Sequence, residues 1–320
     1  LSITITSPKN GSYFNRTWVV VEWNVTGQDV DHYELYVDGE LVNGSIPADQ
    51  TSYNVTDLHD GSHNITVVVV DTKGETAKDE VTVIIDTIAP TVNITRPSDG
   101  EVVGGTVVIE FDVSDANFGN ASLYIDDVLI QTYYTSSGTY DWDTTSYSDG
   151  SHSIKVVAVD KAGNKGSQEI TVTVDNTAPT IEIITPSDGD VVGGTVNITV
   201  NVTDPHLNVS ILYINNTPMD TWSDSGIHTY LWDTSGYSDA KYNITVFAND
   251  TVGNSNKATI FVDLDNTPPI VEILYPHDGD VVGGIVNISV NVSDAHSVSS
   301  ELYIGGGLKD TWSGAGVHNY

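Results

Sequence analysis

Nine residues recur along this chain at a near-constant step: Pro97-Ser-Asp-Gly-Glu-Val-Val-Gly-Gly105, Pro186-Ser-Asp-Gly-Asp-Val-Val-Gly-Gly194 and Pro276-His-Asp-Gly-Asp-Val-Val-Gly-Gly284. A shorter form, Pro8-Lys-Asn-Gly11, opens the chain. A period of about 90 residues means that one structural unit is repeated, and that each unit must close its own hydrophobic core or share it with a neighbour. The 320 residues therefore divide into four expected domains, 1–86, 87–175, 176–265 and 266–320. The last stops short, because Val317-His-Asn-Tyr320 aligns with Ile227-His-Thr-Tyr230 and the equivalents of the final two strands are absent.

Between the repeated phrases the sequence reads as short strands. In the second unit they are expected at 91–96, 106–113, 121–125, 129–133, 139–142, 153–159 and 169–174, separated by Gly, Asp, Asn and Ser, the residues of tight turns. In the third unit Val196, Ile198, Val200 and Val202 alternate with Asn197, Thr199, Asn201 and Thr203. Successive side chains of a strand point to opposite faces, so the first set is core and the second faces water. No segment keeps a helical period. Seven strands at this spacing predict an antiparallel β-sandwich. Trp142 and Trp232, in a shared Trp-Asp-Thr phrase, are expected in the sandwich core. In the repeated phrase itself, Asp-Gly supplies a turn and Gly-Gly a close backbone approach.

Composition restricts the possible roles. A formal charge of −33 excludes nucleic acid as a partner, since phosphate binding needs clustered Lys and Arg. There is no cysteine, hence no disulfide and no thiolate chemistry. No apolar run approaches the roughly 20 residues that cross a bilayer. The chain begins in strand-like sequence, Leu1 to Thr6, without a signal peptide, as expected of a processed or excerpted piece.

Two motifs carry a family resemblance. Asp160-Lys-Ala-Gly-Asn164 before a final strand, followed by Val174-Asp-Asn-Thr-Ala-Pro-Thr180, resembles the prokaryotic immunoglobulin-like repeats of large surface proteins. The first unit, with Val21-Glu-Trp-Asn24 and Leu35-Tyr-Val-Asp-Gly39, is similar to a fibronectin type III-like variant. The resemblance implies an all-β fold of tandem seven-stranded immunoglobulin-like sandwiches arranged as an elongated rod. It also implies a place in a surface layer, a filament, an adhesin or the tail of a secreted enzyme, among which fold does not choose.

Asn-X-Ser/Thr triplets are dense. They stand at Asn10, Asn15, Asn24, Asn43, Asn54, Asn64, Asn93, Asn120, Asn197, Asn201, Asn208, Asn215, Asn243, Asn249, Asn287 and Asn291. Asn64, Asn197, Asn201, Asn243, Asn287 and Asn291 fall on the expected outward phase of strands, where Asn is normally depleted. N-linked glycans would make such positions useful and would shield sheet faces and edges. Thr-rich outer faces would also raise the count passively. Glycosylation implies an extracellular chain, and with a prokaryotic type of module the expected source is archaeal.

Loops of a sandwich gather at its two ends, which predicts carboxylate clusters at the joints. Asp60, Asp86, Asp115 and Asp160 are expected at the first. Asp99, Asp149, Asp175, Asp204 and Asp250 are expected at the second, and Asp188, Asp239, Asp265 and Asp294 at the third. Several hard oxygen ligands around one hinge suit Ca²⁺, although Asp is also an ordinary loop residue. Cadherin-like arrays are the resemblance behind that expectation.

Nothing in the chain reads as an active site. His63 and His152 repeat within a Gly-Ser-His phrase, as His228 and His318 repeat in theirs, so module geometry explains them. No His-Glu-X-X-His, Gly-X-Ser-X-Gly or P-loop phrase occurs. The expected function is a non-catalytic structural glycoprotein of a cell-surface layer or filament, associating with itself or other surface proteins. The alternatives are an adhesin stalk and accessory modules of a secreted hydrolase. For the unfinished fourth unit the expectations are truncation or completion by a strand from a neighbour.

Overall fold

The computed structural model describes every residue except Gln28 and divides into two compact units, Leu1–Asn176 and Thr177–Tyr320. Apart from one 3-10 turn at Thr144–Ser146, the regular structure of the described residues is strand.

The first unit holds two sandwiches. Strands β1 (Ser2–Ser7), β2 (Ser12–Phe14), β3 (Val19–Thr26), β4 (Val30–Val37), β5 (Glu40–Pro47), β6 (Ser52–Val55), β7 (Gly61–Asp71) and β8 (Thr76–Ile85) build the first. Its sheets run β1-β3-β6 and β2-β8-β7-β4-β5. The second comprises β9 (Thr91–Arg96), β10 (Val102–Val103), β11 (Thr106–Ser114), β12 (Phe118–Ile125), β13 (Val128–Tyr133), β14 (Ser137–Asp143), β15 (Gly150–Asp160) and β16 (Lys165–Val174). They pair as β14-β11-β9 and β10-β16-β15-β12-β13.

The second unit repeats this plan once in full. Strands β17 (Thr180–Thr185), β18 (Val191–Val192), β19 (Thr195–Thr203), β20 (Leu207–Ile214), β21 (Thr217–Trp222), β22 (Gly226–Asp233), β23 (Ala240–Asp250) and β24 (Ser255–Leu264) form sheets β17-β19-β22 and β18-β24-β23-β20-β21. The remaining residues give β25 (Ile270–Tyr275), β26 (Ser289–Ser293), β27 (Ser299–Ile304), β28 (Gly307–Ser313) and β29 (Gly316–Asn319), ordered β25-β26-β29 and β27-β28.

Each sandwich is thus the expected seven-stranded form with its first strand split, and the repeated phrase makes the split. In the second module Arg96-Pro97 is a cis peptide and Gly100 turns the chain at φ +79°. Val102–Val103 then joins the opposite sheet, parallel to β16. The phrase predicts a turn and a close backbone approach but no strand, because two residues are too few to show an alternation. The phrase also binds the last strand: Thr171 N–H donates to Asp99 Oδ1 at 2.8 Å and Gly100 N–H to the Thr171 carbonyl at 2.7 Å. Asp188 accepts likewise from Phe261 N–H, and Asn10 from Thr82 N–H. Of Gly193-Gly194, the first permits close approach, since a Cβ there would meet the Asp265 carbonyl oxygen at 2.4 Å, and the second takes φ +67°.

The cores follow the expected alternation. Val196, Ile198, Val200 and Val202 are buried, as are Trp142 and Trp232. The large aromatic moves between two adjacent strands. In the first module Trp23 on β3 fills the core and Val55 stands at the β6 position; in the second, Phe111 on β11 and Trp142 on β14 are both buried, with Trp142 paired to Val107; in the third, Val200 and Trp232 hold those two positions, with Trp232 paired to Val196. Close packing constrains the summed volume of the layer and leaves open which strand supplies it.

Several strands run further than expected. β15 and β16 pair from Gly150↔Val174 to Val159↔Lys165, because a hairpin ladder continues past the apolar core for as long as both backbones can bond. In the opposite sense, Asn287 lies ahead of β26 in backbone outside any strand, which corrects its expected strand position.

Candidate functional site

The linker Asp86-Thr-Ile-Ala-Pro90 leaves the first sandwich at the end where the second presents its β11–β12 and β15–β16 loops. Asp86, Asp115 and Asp160 converge there, each offering an oxygen within 4.8 Å of the others. Asp86 and Asp160 are buried and Asp115 is half-buried. Desolvation, together with the Asp86 and Asp160 charges, holds the Asp115 carboxyl above its ordinary range, against the lowering effect of its bond from Asn117 N–H. Like charges brought together out of water disfavour ionisation in this way.

Two asparagine amides hold the cluster. Asn117 Nδ2 donates to Asp86 Oδ2 at 2.8 Å. Asn164 Nδ2 donates to the Asp86 carbonyl and to Asp160 Oδ2, each at 2.7 Å, while its backbone N–H donates to Asp160 Oδ1. In Asp160-Lys-Ala-Gly-Asn164 the aspartate therefore ties the hairpin turn and the asparagine ties that turn to the linker. Neither amide is among the residues expected at the joint, where only carboxylates are. The usable signal was positional: Asp115-Ala-Asn117, Asp204-Pro-His206 and Asp294-Ala-His296 each place a donor two residues after the aspartate.

The joint within the second unit uses a different donor. His296 Nδ1 lies 2.7 Å from Asp265 Oδ2, and His296 N–H donates to Asp294 Oδ1 at 2.8 Å. Asp265, Asp294 and His296 form a cluster within 4.8 Å. Asp239 stands apart from it, accepting from Asn266 N–H at 2.7 Å and from the Thr267 hydroxyl. These two bonds hold the Asp239 carboxyl below its ordinary range.

Other predicted ligands bond outside the carboxylate clusters, Asp60 to the linker itself. Asp60 accepts from Thr87 N–H at 2.9 Å, and Asp149 from Asn176 N–H at 2.8 Å. Asp99 and Asp188 bind the last strands of their own sandwiches, which corrects their expected place in the clusters. In the first unit Asp175 N–H donates to the Val103 carbonyl. In the second unit Asp204 accepts from His206 N–H, and Asp250 closes its turn by accepting from the N–H groups of Val252, Gly253 and Asn254.

The histidines in Gly-Ser-His are structural in both sandwiches of the first unit. His63 bridges Asp38 Oδ2 and the His59 carbonyl, both at 2.7 Å. His152 bridges Asp126 Oδ2 at 2.6 Å and the Ser148 carbonyl at 2.8 Å. Burial opposes the charged form of His152, but those two bonds outweigh it and raise its pKa. In the third module Tyr242 hydroxyl makes the equivalent bond to the Ser238 carbonyl. Trp222 stacks on His228 and Trp312 on His318, each pair 6° from parallel, again repeating by module.

None of the sixteen sequon asparagines is buried. Asn24, Asn43, Asn54, Asn64, Asn93, Asn120, Asn197, Asn201, Asn208, Asn243, Asn249 and Asn291 lie in strands. Asn10, Asn15 and Asn215 lie in turns or bends, and Asn215 takes φ +45°.

Comparison with known proteins assigns the repeated unit. A family model described as bacterial Ig domain matches residues 2–67, 90–156 and 179–246, and one described as bacterial Ig-like domain (group 3) matches 226–316. Halomucin of Haloquadratum walsbyi is 29% identical over 234 residues, which are 68% of this chain and 2% of that protein. Bacillopeptidase F of Bacillus subtilis is 28% identical over 188 residues, 58% of this chain and 12% of that protein. An I-band fragment of titin superposes with a TM-score of 0.51 at 12% identity, covering 82% of this chain and 97% of the fragment, a likeness of fold alone.

Proposed function

The chain belongs to the bacterial Ig domain family, and on that premise we propose that it is a non-catalytic structural segment of an extracellular surface glycoprotein, a building block of a surface layer or filament. The carrying observation is how the buried polar side chains are used. His63, Asp160, Thr144, Thr234 and Asp250 each bond to a loop, a turn or the stretch after a last strand, and they recur by module. An active site would instead gather an acid, a base and a nucleophile once. No helix among the described residues is long and apolar enough to cross a membrane. Surface labelling of intact source cells, followed by electron microscopy of the extracted material, tests the reading. Labelled protein in regular arrays is the expected result; protein confined to the cell interior would overturn it.

The Asp86, Asp115 and Asp160 cluster supports a divalent cation of the Ca²⁺ class as a stiffener of the first joint. The amides of Asn117 and Asn164 satisfy lone pairs but bring no positive charge, so three neighbouring carboxylates remain uncompensated. Added Ca²⁺ should raise the melting temperature of the chain, and chelation should reverse the rise. Asp115→Asn should abolish the response while leaving the fold intact. A melting temperature indifferent to Ca²⁺ removes the cation from this joint.

A second reading has its own support. Besides Bacillopeptidase F, the long isoform of ulvan lyase from a Pseudoalteromonas strain is 28% identical over 184 residues, which are 18% of that protein. Modules of this kind thus resemble parts of much longer chains with enzymatic names, and hydrolytic or lyase activity in the parent polypeptide would favour accessory modules over a surface lattice.

A further inference from the structure

Asparagines inside and outside the sequons differ in how their side chains bond. Outside the sequons, Asn117, Asn164, Asn176, Asn254, Asn256 and Asn266 all donate hydrogen bonds from Nδ2 to carboxylates or carbonyls. Among the described residues only one sequon asparagine does so: Asn208, to Asn249 Oδ1 at 3.4 Å. Where other sequon asparagines bond through the side chain, as Asn10, Asn43 and Asn215 do, Oδ1 accepts. Nδ2 thus donates at six of the eight asparagines outside the sequons and, among the described residues, at one of the sixteen within them.

Strand register adds a second observation. Asn197 pairs directly with Leu231 and Asn201 with Ile227 on the outer face of β19–β22. Asn243 pairs with Phe261, Asn54 with Val20 and Asn291 with Val317. All five partners are exposed apolar side chains, Leu231 and Ile227 at 66% and 68%. Directly opposed residues have Cβ atoms about 5 Å apart, so a group built on the asparagine reaches its neighbour.

We propose that Asn54, Asn197, Asn201, Asn243 and Asn291 carry N-linked oligosaccharides whose first sugars lie over these apolar neighbours, making glycan the cover of the sheet faces. This rests on the reading of the chain as an extracellular glycoprotein and adds which sites are modified and what the sugar does. The donor class is an oligosaccharide carried on a lipid phosphate, transferred by a separate enzyme. Nδ2 bonds to the anomeric carbon, the bond from that carbon to the phosphate oxygen breaks, the lipid phosphate leaves with the electron pair, and Nδ2 loses one proton to the enzyme's base. The C–H faces of a pyranose then exclude water from Leu231, Ile227 and Phe261, as burial of apolar surface favours. The same cover separates sheet faces that would otherwise meet those of other copies.

Glycopeptide mapping of the protein from its source cells tests the placement. The expected result is one glycan mass at each of the five sites, with the six Nδ2-donating asparagines bare, and loss of one such mass in Asn197→Gln. Glycans on other sequons with these five bare would overturn the proposal and leave the glycoprotein reading standing; a bare mass throughout would sink both. Hydrophobic-interaction chromatography tests the cover. The chain made without glycans should be retained longer than the native form, and Ile227→Thr with Leu231→Thr should shorten retention of the bare chain only. An equal shortening in the glycosylated chain would refute the covering role.

Discussion

Trp142→Ala is expected to destabilise the second sandwich by about 3–5 kcal/mol, the range for truncating a buried large aromatic. That is a large fraction of the roughly 5–15 kcal/mol by which a domain is stable. Trp142 is 1% exposed, meets Tyr147 edge-to-face at 5.1 Å, and belongs to the same buried core as Phe111 on the neighbouring strand. Its indole Nε1 is buried with no hydrogen-bond partner, as are those of Trp23 and Trp232. The loss is therefore one of volume and dispersion, not of a polar bond, and Trp142→Phe should recover a good part of it. Native-state hydrogen exchange reads the effect locally: amides of β11 and β15 should exchange faster, with those of β3 and β7 unchanged. Unchanged protection in β11 and β15 would show that the layer does not depend on the indole.

Gly166→Ala is expected to disturb the joint between the first two sandwiches, at a cost of about 1–3 kcal/mol, as for overpacking. A Cβ at Gly166 would fall 1.7 Å from the Pro90 carbonyl oxygen and 2.8 Å from its carbon. The obstacle is backbone, so no side-chain rotation relieves it, and the linker must move. Gly166 also lies two residues after Asn164, whose Nδ2 holds the Asp86 carbonyl, so the displacement strains that bond as well. Limited proteolysis within 86–90 is the direct measurement, with faster cleavage in the variant as the expected outcome; cleavage at the parent rate would mean that the linker does not rest on β16. The third module solves the same problem with a side chain, for Asn256 stands at the position of Gly166 and its Nδ2 donates to the Pro179 carbonyl at 3.0 Å.

Much of the fold was legible because it rests on local periodicities. The alternation of Val196, Ile198, Val200 and Val202 with polar residues can be satisfied only by a strand with one dry face. The strand at 91–96 was placed to the residue, since Pro97 and the Ser-Asp-Gly turn end it. The extra strand at Val102–Val103 was not legible. It exists only because β16 lies beside it, and a two-residue pairing leaves no period.

The joint was legible in part. Asp60, Asp86, Asp115 and Asp160 were expected together from loop placement alone; Asp86, Asp115 and Asp160 lie within 4.8 Å of one another, while Asp60 binds Thr87 of the linker. Asp99 was expected at the second joint and Asp188 at the third, and each binds the last strand of its own sandwich; carboxylates look alike in a sequence whether they face a joint or a strand edge. Asn117, Asn164 and His296 were overlooked because an amide or imidazole donor is identified by what it reaches.

The sequence by itself determined the repeat, the all-β sandwich, the inward phase of each strand and the sixteen Asn-X-Ser/Thr triplets, all of which are written in spacing and residue type. Only the tertiary structure decided which oxygens share a cluster, that the repeated Pro-Ser-Asp-Gly phrase crosses from one sheet to the other, and that Asn197 and Asn243 stand opposite Leu231 and Phe261. Those facts depend on register and on contacts between residues distant in the chain, where a shift of one residue reverses every face, and no local pattern encodes them.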